Sequence, residues 1–332
     1  MENKFKIIVT ATPLRISFTG GGTDIKNYYK IKDGNILSTT IDKYLYVTVK
    51  RHNDLFKEKF RLNYSFTETK QKISDIQNNI TRECLKYLKI NFPLYISTVS
   101  DIPAETGLGS SSAFTVGLLN ALYILIGKRV SLHQLAEDAC KIEITKLKKS
   151  QGKQDQYAAV FGGINKFTFK KNEKVIVRKI KLKTKVLNSL NNNLFLVWSK
   201  KQRKADSILQ SQNKNFRYNL ANLNKINHQT KKLINIFQND YNLSSFSKII
   251  NENWENKIKL SKKIFNKQLK ILSHKIMLSG ATGLKILGAG GGGFFLVIVP
   301  NKNKNFFLHQ MSKYKIVNFK LESNGTQVIL KR

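Results

Sequence analysis

The pattern of apolar and polar positions near the start of the chain predicts a β-strand. Over residues 5–19, apolar side chains alternate with Arg15 and other polar ones, as in a strand with one buried face. The three glycines of GGGTD, at residues 20–24, then interrupt the alternation. Residues 35–51 are rich in β-branched and aromatic side chains and predict further strands, and residues 69–90 predict a helix.

The remaining chain predicts both helices and strands. Ser131 and Gln134 have the spacing of a capping box, and small or apolar side chains follow at helical spacing, which predicts a helix over residues 131–147. Strands are predicted at FGGINKFTF, KVIVRKIKL and NNNLFLVWSK. Residues 201–274 predict helices, and the tail carries a further helix near residues 306–313 and a hairpin signal in KLESNGTQVIL.

The order of these elements favours one fold class. Strands and helices mix without strict βαβ alternation, so we expect an α+β fold with two lobes. The polar asparagine run near residue 191 is the candidate boundary. It divides the chain into an N-terminal lobe of residues 1–190 and a C-terminal lobe of residues 191–332.

Length and composition indicate a globular protein. The 332 residues include 41% apolar and 10% aromatic side chains, enough for a large buried core. No apolar run reaches the roughly 18 residues of a membrane span, and the start lacks the features of a signal peptide. The two cysteines, Cys84 and Cys140, imply no disulfide framework, so we expect a cytoplasmic protein.

The net charge of +37, from 58 Lys and Arg against 21 Asp and Glu, raises the question of a polyanionic partner. Nucleic acid or an anionic membrane surface would fit such a charge. However, the lysines are spread along the whole chain and accompany abundant Asn and Ile, which indicates a compositional bias. A nucleic-acid-binding protein stays the alternative from a different class. Attraction of a phosphorylated substrate is a further use of the same charge.

The segment GLGSSS at residues 107–112 places glycines and serines directly before an apolar, helix-like run. A helix start presents unpaired N–H groups and partial positive charge, and glycines let a phosphate approach the backbone. The segment therefore predicts a polyphosphate site, with a serine hydroxyl left for Mg²⁺. A cap by Ser110 alone would leave Gly107, Gly109 and two further serines unexplained. The chain has no GxxxxGK[ST] motif, so this is not a Walker A loop.

A second glycine-rich loop, at residues 288–293, matches the pattern GxGxxG. A dinucleotide-binding loop leaves a strand and opens a helix, usually early in a βαβ unit. Here the loop leads into the strand-like run FFLVIV late in the chain. A Rossmann-type dinucleotide site is therefore not favoured.

Two carboxylates are candidates for phosphoryl transfer, which needs a metal ligand and a group that takes or orients the proton of the acceptor. Glu143 falls at the edge of the apolar face of a predicted helix, where a charge needs a metal or a partner; a surface lysine is the alternative. Asp155 lies between that helix and the next strand, where an aspartate is also common in turns. The five histidines lack metal-ligand spacing, and no GxSxG elbow indicates a serine hydrolase.

Three motifs together resemble those of the GHMP kinases, the superfamily of galactokinase, homoserine kinase and mevalonate kinase. They are PLRISFTGGGTD at residues 13–24, PAETGLGSSSA at 103–113 and KILGAGGGGFF at 285–295. The resemblance covers essentially the whole chain. It implies a two-lobed fold, with an N-terminal lobe like a ribosomal-S5-type domain, a ferredoxin-like C-terminal lobe and the site between them.

Within that superfamily, the GGGTD form of the first motif resembles the D-glycero-D-manno-heptose 7-phosphate kinases, as do LSTTIDKYLYV and GKQDQYAAVFGG. Those enzymes use ATP to phosphorylate the anomeric hydroxyl of a heptose 7-phosphate, and the product feeds nucleotide-activated heptose for surface polysaccharide. The fucokinase lobe of bifunctional fucose-salvage enzymes shares the GGGTD form and is the alternative. Gln151 and Glu105 depart from the usual heptose-kinase pattern, which leaves the sugar open.

The resemblance implies a role for each matching residue. Asp155 would be the catalytic aspartate, supported by Arg15, and Glu143 and Ser111 would hold Mg²⁺. The residues implied for the ATP phosphates are Pro103, Gly107, Leu108, Gly109, Ser110, Ser111 and Ser112. The residues implied for the substrate are Gly22, Thr23, Asp24, Lys153, Gln154, Arg203, Gly290 and Gly291. Of these, Lys153 and Arg203 are expected to bind the distal phosphate of a small phosphosugar, with no nucleic acid or membrane as partner.

Overall fold

Within the described residues, which are 5–53, 55–203 and 205–332, the computed structural model contains a nine-stranded and a four-stranded sheet. The strands are β1 (Ile7–Thr19), β2 (Gly34–Arg51), β3 (Phe60–Asn63), β4 (Thr67–Lys70), β5 (Leu94–Ser100), β6 (Asn165–Phe169), β7 (Val175–Lys179), β8 (Leu194–Trp198), β9 (Gly283–Ile286), β10 (Phe294–Ile298), β11 (Ile316–Val317), β12 (Leu321–Glu322) and β13 (Gln327–Lys331). The helices are α1 (Lys26–Tyr29), α2 (Asn79–Tyr87), α3 (Ser110–Leu125), α4 (Leu132–Cys140), α5 (Gln154–Phe161), α6 (Thr184–Asn193), α7 (Asp206–Lys214), α8 (Phe216–Gln238), α9 (Leu243–Ile258), α10 (Lys267–Leu278) and α11 (Lys304–Gln310).

The 18-residue strand β2 is the centre of the larger sheet. It pairs with β1 along most of its length, and other parts of it pair with β5, β6 and β12. Helix α3 packs against β1 and β2 with most of its side chains buried. Gly117 permits this close approach, because a Cβ there would lie 2.7 Å from Thr12 Oγ1.

The smaller sheet has the strand order β11-β8-β10-β9 and is antiparallel. Apolar side chains of β8 and β10, such as Phe195 and Phe295, form a second core with α8, α9 and α10. The larger core joins the first sheet to α3 and to part of the second sheet. The two sheets are therefore packed together, and the mixed α+β fold is confirmed.

The predicted helix over residues 131–147 is confirmed, but its last turns have a different form. Ser131 caps α4 by accepting from Gln134 N at 3.1 Å. The Gln134 side chain donates to Asp138 instead of accepting from Ser131 N, so half of the capping box forms. A π-helical turn, Lys141–Lys146, continues α4 and carries Glu143. This turn rotates the carboxylate into the interior of the protein.

The prediction of one helix over residues 69–90 is wrong in its first half. Residues 67–70 form β4, and α2 begins only at Asn79. The Asn78 side chain caps α2 by accepting from Thr81 N at 3.0 Å. Glu68 accepts from Gln77 N and Asn78 N, which fixes the turn between β4 and α2. Hydrogen bonds of a buried glutamate therefore outweigh the local helical pattern.

The predicted hairpin in KLESNGTQVIL is also wrong. Strand β12 pairs with β2 and β13 pairs with β1, so the two strands flank β1 and β2 instead of pairing with each other. Between them, the backbone of Gly325 lies against α5, where a Cβ would come within 1.9 Å of Val160 O. The candidate boundary near residue 191 falls at the end of α6, but residues 321–331 return to the first sheet.

No helix of the described residues combines the length and the apolar character that crossing a membrane requires.

Candidate active site

A cleft of about 1060 Å³ lies between the start of α3, the start of α5 and the loop that joins β9 to β10. Residues from both halves of the chain line it, including the serines of the GLGSSS segment at residues 107–112, here called the phosphate loop, and Lys257. Its outer end is lined by Leu45, Tyr64, Ile80 and Phe114, whose apolar and aromatic surfaces suit a flat base. No local sequence signal marked this end, because its residues come from three different elements and from the turn after β3.

The start of α3 presents free N–H groups to the cleft. The N-cap is Gly109, which has no side chain to accept from the first amides. Ser110, Ser111 and Ser112 all line the cleft at this point. Gly109 has a φ of 79°, and a Cβ there would lie 3.1 Å from Arg15 Cγ. The first turn of α3 is thus open to bind an anion, as the sequence predicts for this loop.

The rest of the phosphate loop is fixed by its neighbours. A Cβ on Gly107 would lie 2.6 Å from Leu287 O, so this loop packs directly on the β9–β10 loop. Leu108 is fully buried, and its carbonyl accepts from Arg15 N at 3.0 Å. Pro103 is exposed at the rim of the cleft. The loop therefore has one open face, which is the start of α3.

Asp155 and Arg15 form a bidentate ion pair inside the cleft. Arg15 Nε and Nη2 donate to the two carboxylate oxygens at 2.7 Å each, and Nη1 donates to Gly107 O at 2.7 Å. Asp155 lies in the first turn of α5, and its side chain is 18% exposed, towards the cleft. Arg15 thus ties the carboxylate to the phosphate loop, which holds it at a fixed distance from a bound phosphate.

Glu143 is fully buried and accepts four hydrogen bonds. Oε1 accepts from Ser111 Oγ and Lys149 Nζ, and Oε2 accepts from Ser112 Oγ and Gln156 Nε2, each at 2.7 Å. Burial by itself would raise the pKa of this carboxyl. The Lys149 ammonium and the serine hydroxyls outweigh burial and hold the pKa below its usual value. The two predicted metal ligands, Ser111 and Glu143, therefore do meet.

The Lys149 ammonium lies between Ser111 and Glu143. Its Nζ donates to Ser111 Oγ and to Glu143 Oε1 at 2.7 Å each. Among the described residues, no group of three or more His, Cys, Asp or Glu could hold a metal by itself. A carboxylate and a hydroxyl fit the way Mg²⁺ binds with phosphate oxygens, because Mg²⁺ takes few protein ligands there.

Removing the Lys149 ammonium is expected to open this position to a divalent cation. In a Lys149→Met variant, Mn²⁺ should bind about tenfold more tightly without nucleotide, because the Glu143 carboxylate loses its counter-ion. Electron paramagnetic resonance titration of free Mn²⁺ measures this directly. Lys148→Met, which removes an exposed lysine one position earlier, is the control. Equal Mn²⁺ affinity in both variants would contradict the expectation.

The opposite end of the cleft is formed around Asp24. Asp24 is buried, and its carboxylate accepts from Gly22 N and Gln154 N, each at 3.1 Å. Burial, and then the charge of Asp155 nearby, raise its pKa above the usual value. The Gln154 side-chain oxygen is buried in the cleft and has no hydrogen-bond partner among the described residues. These groups can accept hydrogen bonds from the hydroxyl groups of a ligand.

Gly152 is required for this arrangement, because a Cβ there would lie 2.1 Å from Asp24 Oδ2. A Gly152→Ala variant is expected to lose about 2 kcal/mol of unfolding free energy and to raise the KM of the acceptor. Urea unfolding and steady-state kinetics measure the two effects. Ser150→Ala is the control, since Ser150 holds Asp206 through its backbone N–H. A Gly152→Ala protein as stable as this control would refute the prediction.

Two cations from the second half of the chain also face the cleft. Arg203, predicted from the sequence, lines it beside Gly288. Lys257, which sequence reasoning missed, lies 8% exposed at the end of α9 and donates to Gly288 O at 2.7 Å. A signal existed, because Lys257 lies at helical spacing from Asn253 and Trp254, and both are buried.

Four residues predicted to contact the substrate do not line the cleft. Thr23 is fully buried, and its hydroxyl donates to Gly20 O and Asn35 O. Lys153 donates to Glu137 and faces a separate, smaller cavity. Gly290 and Gly291 pack on other side chains of the second core, as their missing Cβ atoms allow. These residues shape the loops around the cleft.

Comparisons with known proteins agree with the family resemblance of the three sequence motifs. A model of the GHMP kinases N terminal domain matches residues 78–163. A D-glycero-alpha-D-manno-heptose 7-phosphate kinase of Campylobacter jejuni is 30% identical over 313 residues, which cover 90% of this chain and 92% of that protein. A D-glycero-D-manno-heptose 1-phosphate kinase from Bacteriodes thetaiotaomicron has a similar structure, with a TM-score of 0.80, 24% identity and coverage of 97% and 99% of the two chains. The structure of mevalonate kinase of Methanococcus jannaschii is also similar, with a TM-score of 0.71 and 23% identity. The match covers 97% of this chain and 99% of that one.

At identities below 25%, the two solved structures establish the fold. The sequence likeness over 90% of the chain establishes the family and confirms the resemblance seen in the three motifs. It also confirms the expectation of an enzyme that transfers a phosphoryl group. The chain belongs to the GHMP kinases, which phosphorylate an alcohol group with ATP.

Proposed function

We propose that this kinase transfers the γ-phosphoryl group of ATP to the anomeric hydroxyl of D-glycero-D-manno-heptose 7-phosphate, giving the 1,7-bisphosphate. The observation that carries the proposal is the Asp155–Arg15 pair, held between the open start of α3 and the polar pocket around Asp24. The sugar itself is taken from the Campylobacter jejuni relative, which acts on a heptose 7-phosphate. We also propose, on the resemblance of the motifs, that the product feeds nucleotide-activated heptose for surface polysaccharide.

Different residues bind the phosphates, accept the proton and position the proton acceptor. The N–H groups at Ser110, Ser111 and Ser112 bind the phosphates of ATP. Asp155 takes or orients the proton of the acceptor hydroxyl, which attacks the γ-phosphorus in line with the leaving ADP oxygen. Arg15 keeps the Asp155 carboxylate in this position through its two hydrogen bonds. The β9–β10 loop closes the far wall of the cleft.

Mg²⁺ would be held by Glu143 and Ser111, together with phosphate oxygens of the nucleotide. When bound, it supplies positive charge that offsets the charge of the phosphates. Lys149 must then leave the position between the two ligands, and its side chain, 25% exposed, is free to turn towards the cleft. Ser112 and Gln156 hold the other carboxylate oxygen of Glu143 throughout.

The acceptor is placed by the polar groups around Asp24. Asp24, Gln154 and the loop at Gly22 would bind its ring hydroxyls. A fucokinase-like enzyme is the alternative, because an unphosphorylated sugar would use the same hydroxyl contacts. We expect the kinase to act in the cytoplasm on this small molecule, without nucleic acid or membrane as partner.

The test is ATP consumption with D-glycero-D-manno-heptose 7-phosphate, compared with the unphosphorylated heptose, fucose and mannose. The proposal is supported if only the 7-phosphate, among these four sugars, is turned over and the product gives the ³¹P signal of an anomeric phosphate. Turnover of fucose or of the unphosphorylated heptose would instead assign a salvage-type sugar 1-kinase. Phosphorylation at another hydroxyl would overturn the proposed regiochemistry.

A further inference from the structure

Arg203 and Lys257 bring more hydrogen-bond donors into the cleft than the protein uses. Arg203 Nε and Nη2 are buried and have no hydrogen-bond partner among the described residues. Lys257 Nζ makes one hydrogen bond, to Gly288 O, although an ammonium has three donors. Among the described residues neither group has a carboxylate within ion-pair distance, although Glu105 acts on the charge of Arg203, and Asp24 and Asp155 act on that of Lys257. A buried cation without a direct partner is costly, so both groups are suited to an anionic ligand.

Both side chains end at the β9–β10 loop, where it packs on the phosphate loop. Lys257 Nζ lies 2.7 Å from Gly288 O, and a Cβ on Gly288 would lie 3.2 Å from Arg203 Nη2 and 2.7 Å from Gly107 Cα. Arg203 N also donates to Glu105 O at 3.3 Å, which anchors its segment to the approach of the loop. A Cβ on Gly21 would lie 3.3 Å from Lys257 Nζ and 3.9 Å from Gln154 Nε2, so Lys257 also borders the pocket around Asp24. The free donors therefore lie between the loops of Gly107 and Gly288 and that pocket, which is where a phosphoryl group would pass from nucleotide to acceptor.

The charges around the two groups fit this placement. Burial, and then repulsion from Arg15, lower the pKa of Arg203 to about 10 and that of Lys257 to about 8. Arg15 itself is bonded to Asp155 and to Gly107 O. Three cations thus surround the space between the phosphate loop and the proton acceptor, where negative charge is greatest during transfer.

From this geometry we infer that Arg203 and Lys257 bind the phosphoryl group in transit and stabilise the charge on its oxygens. The inference rests on the proposed phosphotransfer. The bond from the γ-phosphorus to the bridging oxygen breaks, and ADP keeps its electron pair. The acceptor oxygen forms the new bond to phosphorus, and its proton passes to Asp155. Arg203 and Lys257 contribute hydrogen bonds and charge only, and neither forms a covalent bond.

This role differs from binding the distal phosphate of the acceptor, which the sequence led us to expect for Arg203. In a heptose 7-phosphate, that phosphate is at the opposite end of the sugar from the hydroxyl that reacts. Arg203 and Lys257 instead share Gly288 with the phosphate loop. The two roles predict different kinetics, because an anchor acts on substrate binding and a transition-state contact acts on turnover.

The test compares Arg203→Gln and Lys257→Gln with the conservative Arg203→Lys and Lys257→Arg, which also reveal whether a loss is only structural. Each glutamine variant should lower kcat about 10²-fold and change the acceptor KM less than about threefold. The conservative variants should recover part of the loss. Lys262→Gln, an exposed lysine, is the control for lost charge. A raised KM with unchanged kcat would overturn the inference and restore the distal-phosphate role.

A binding experiment keeps this inference separate from the identity of the sugar. Fluoroaluminate with ADP mimics the phosphoryl group in transit, so it should tighten ADP binding to the parent protein in calorimetry. The glutamine variants should bind ADP with the parent affinity, and fluoroaluminate should no longer tighten that binding. If the gain persists in both, the inference fails, even if heptose 7-phosphate is the substrate. If no sugar is turned over but the gain depends on both residues, only the proposed substrate fails.

The pH dependence gives a further readout. The charged groups around Lys257 are Arg15, Asp24, Asp155, Arg203 and Lys285. Because Lys257 loses its proton above its pKa of about 8, kcat/KM should fall as the pH rises through this value. Lys257→Arg should move this fall to higher pH, since a guanidinium stays charged. An unchanged profile in Lys257→Arg would assign the fall to another group and count against the inference.

Discussion

An Asp155→Asn variant is expected to bind ATP as the parent kinase does and to turn over about 10³-fold more slowly. The amide has nearly the same shape as the carboxylate but cannot take the proton of the acceptor hydroxyl. It also turns an NH₂ group towards one of the two Arg15 donors that the carboxylate satisfies. ATP binding should stay, because the proposed phosphate site is the start of α3 and the hydrogen bonds of the Asp155 carboxylate are with Arg15.

Single-turnover kinetics and ATP calorimetry measure the two parts of this prediction. Glu173→Gln is the matched control, since it removes an exposed carboxylate whose partners are Lys26 and Lys30 outside the cleft. That variant should keep the parent kcat. If Asp155→Asn turned over within tenfold of the parent, Asp155 would not be the proton acceptor, and the proposed chemistry would need another base.

A Glu143→Gln variant should lose about 10³-fold in kcat and also become less stable. The carboxylate accepts from two serines, Lys149 and Gln156, and an amide would place its own donors against some of these. One pair of opposed donors and an unpaired cation together cost about 2–3 kcal/mol. Turnover falls further because the position for a cation beside the ATP phosphates loses its charge.

Asp138→Asn separates the loss of stability from the loss of turnover. Asp138 is a buried carboxylate in the same helical segment and accepts from Tyr87 and Tyr123 at 2.6 and 2.7 Å. Its replacement should lower the urea midpoint to a similar degree and leave kcat unchanged. If both variants lost turnover equally, the effect of Glu143 would be structural, and a different cation position would have to be sought.

The phosphate loop could be predicted from the sequence because its chemistry depends on adjacent residues. Glycines that permit a φ of 79–87° and serines at a helix start are contiguous in the chain. The pairing of Arg15 with Asp155 spans 140 positions and came from the family resemblance, because no local pattern specifies it. Neither charge, taken alone, could be separated from an ordinary turn or surface residue.

Lysines were the hardest residues to assign, because 58 Lys and Arg give no contrast along the chain. Lys153 was expected at the substrate, but α4 brings Glu137 within 3.0 Å of it, and the ion pair holds it outside the cleft. Lys149 enters the site from the segment that follows the π-helical turn, and Lys257 enters it from the end of α9. Such placement depends on packing between distant elements, which local patterns do not encode.

The return of the last strands to the first sheet affects how the protein is made. Thr12 in β1 and Thr326 are hydrogen-bonded at 2.8 Å across 314 positions of the chain. During synthesis, one edge of β1 therefore stays unpaired until almost every other element has left the ribosome. Contacts of such long range slow folding, and an open strand edge invites pairing with other nascent chains. A ribosome pause before β13 would lengthen this exposed period and, with it, the chance of such pairing.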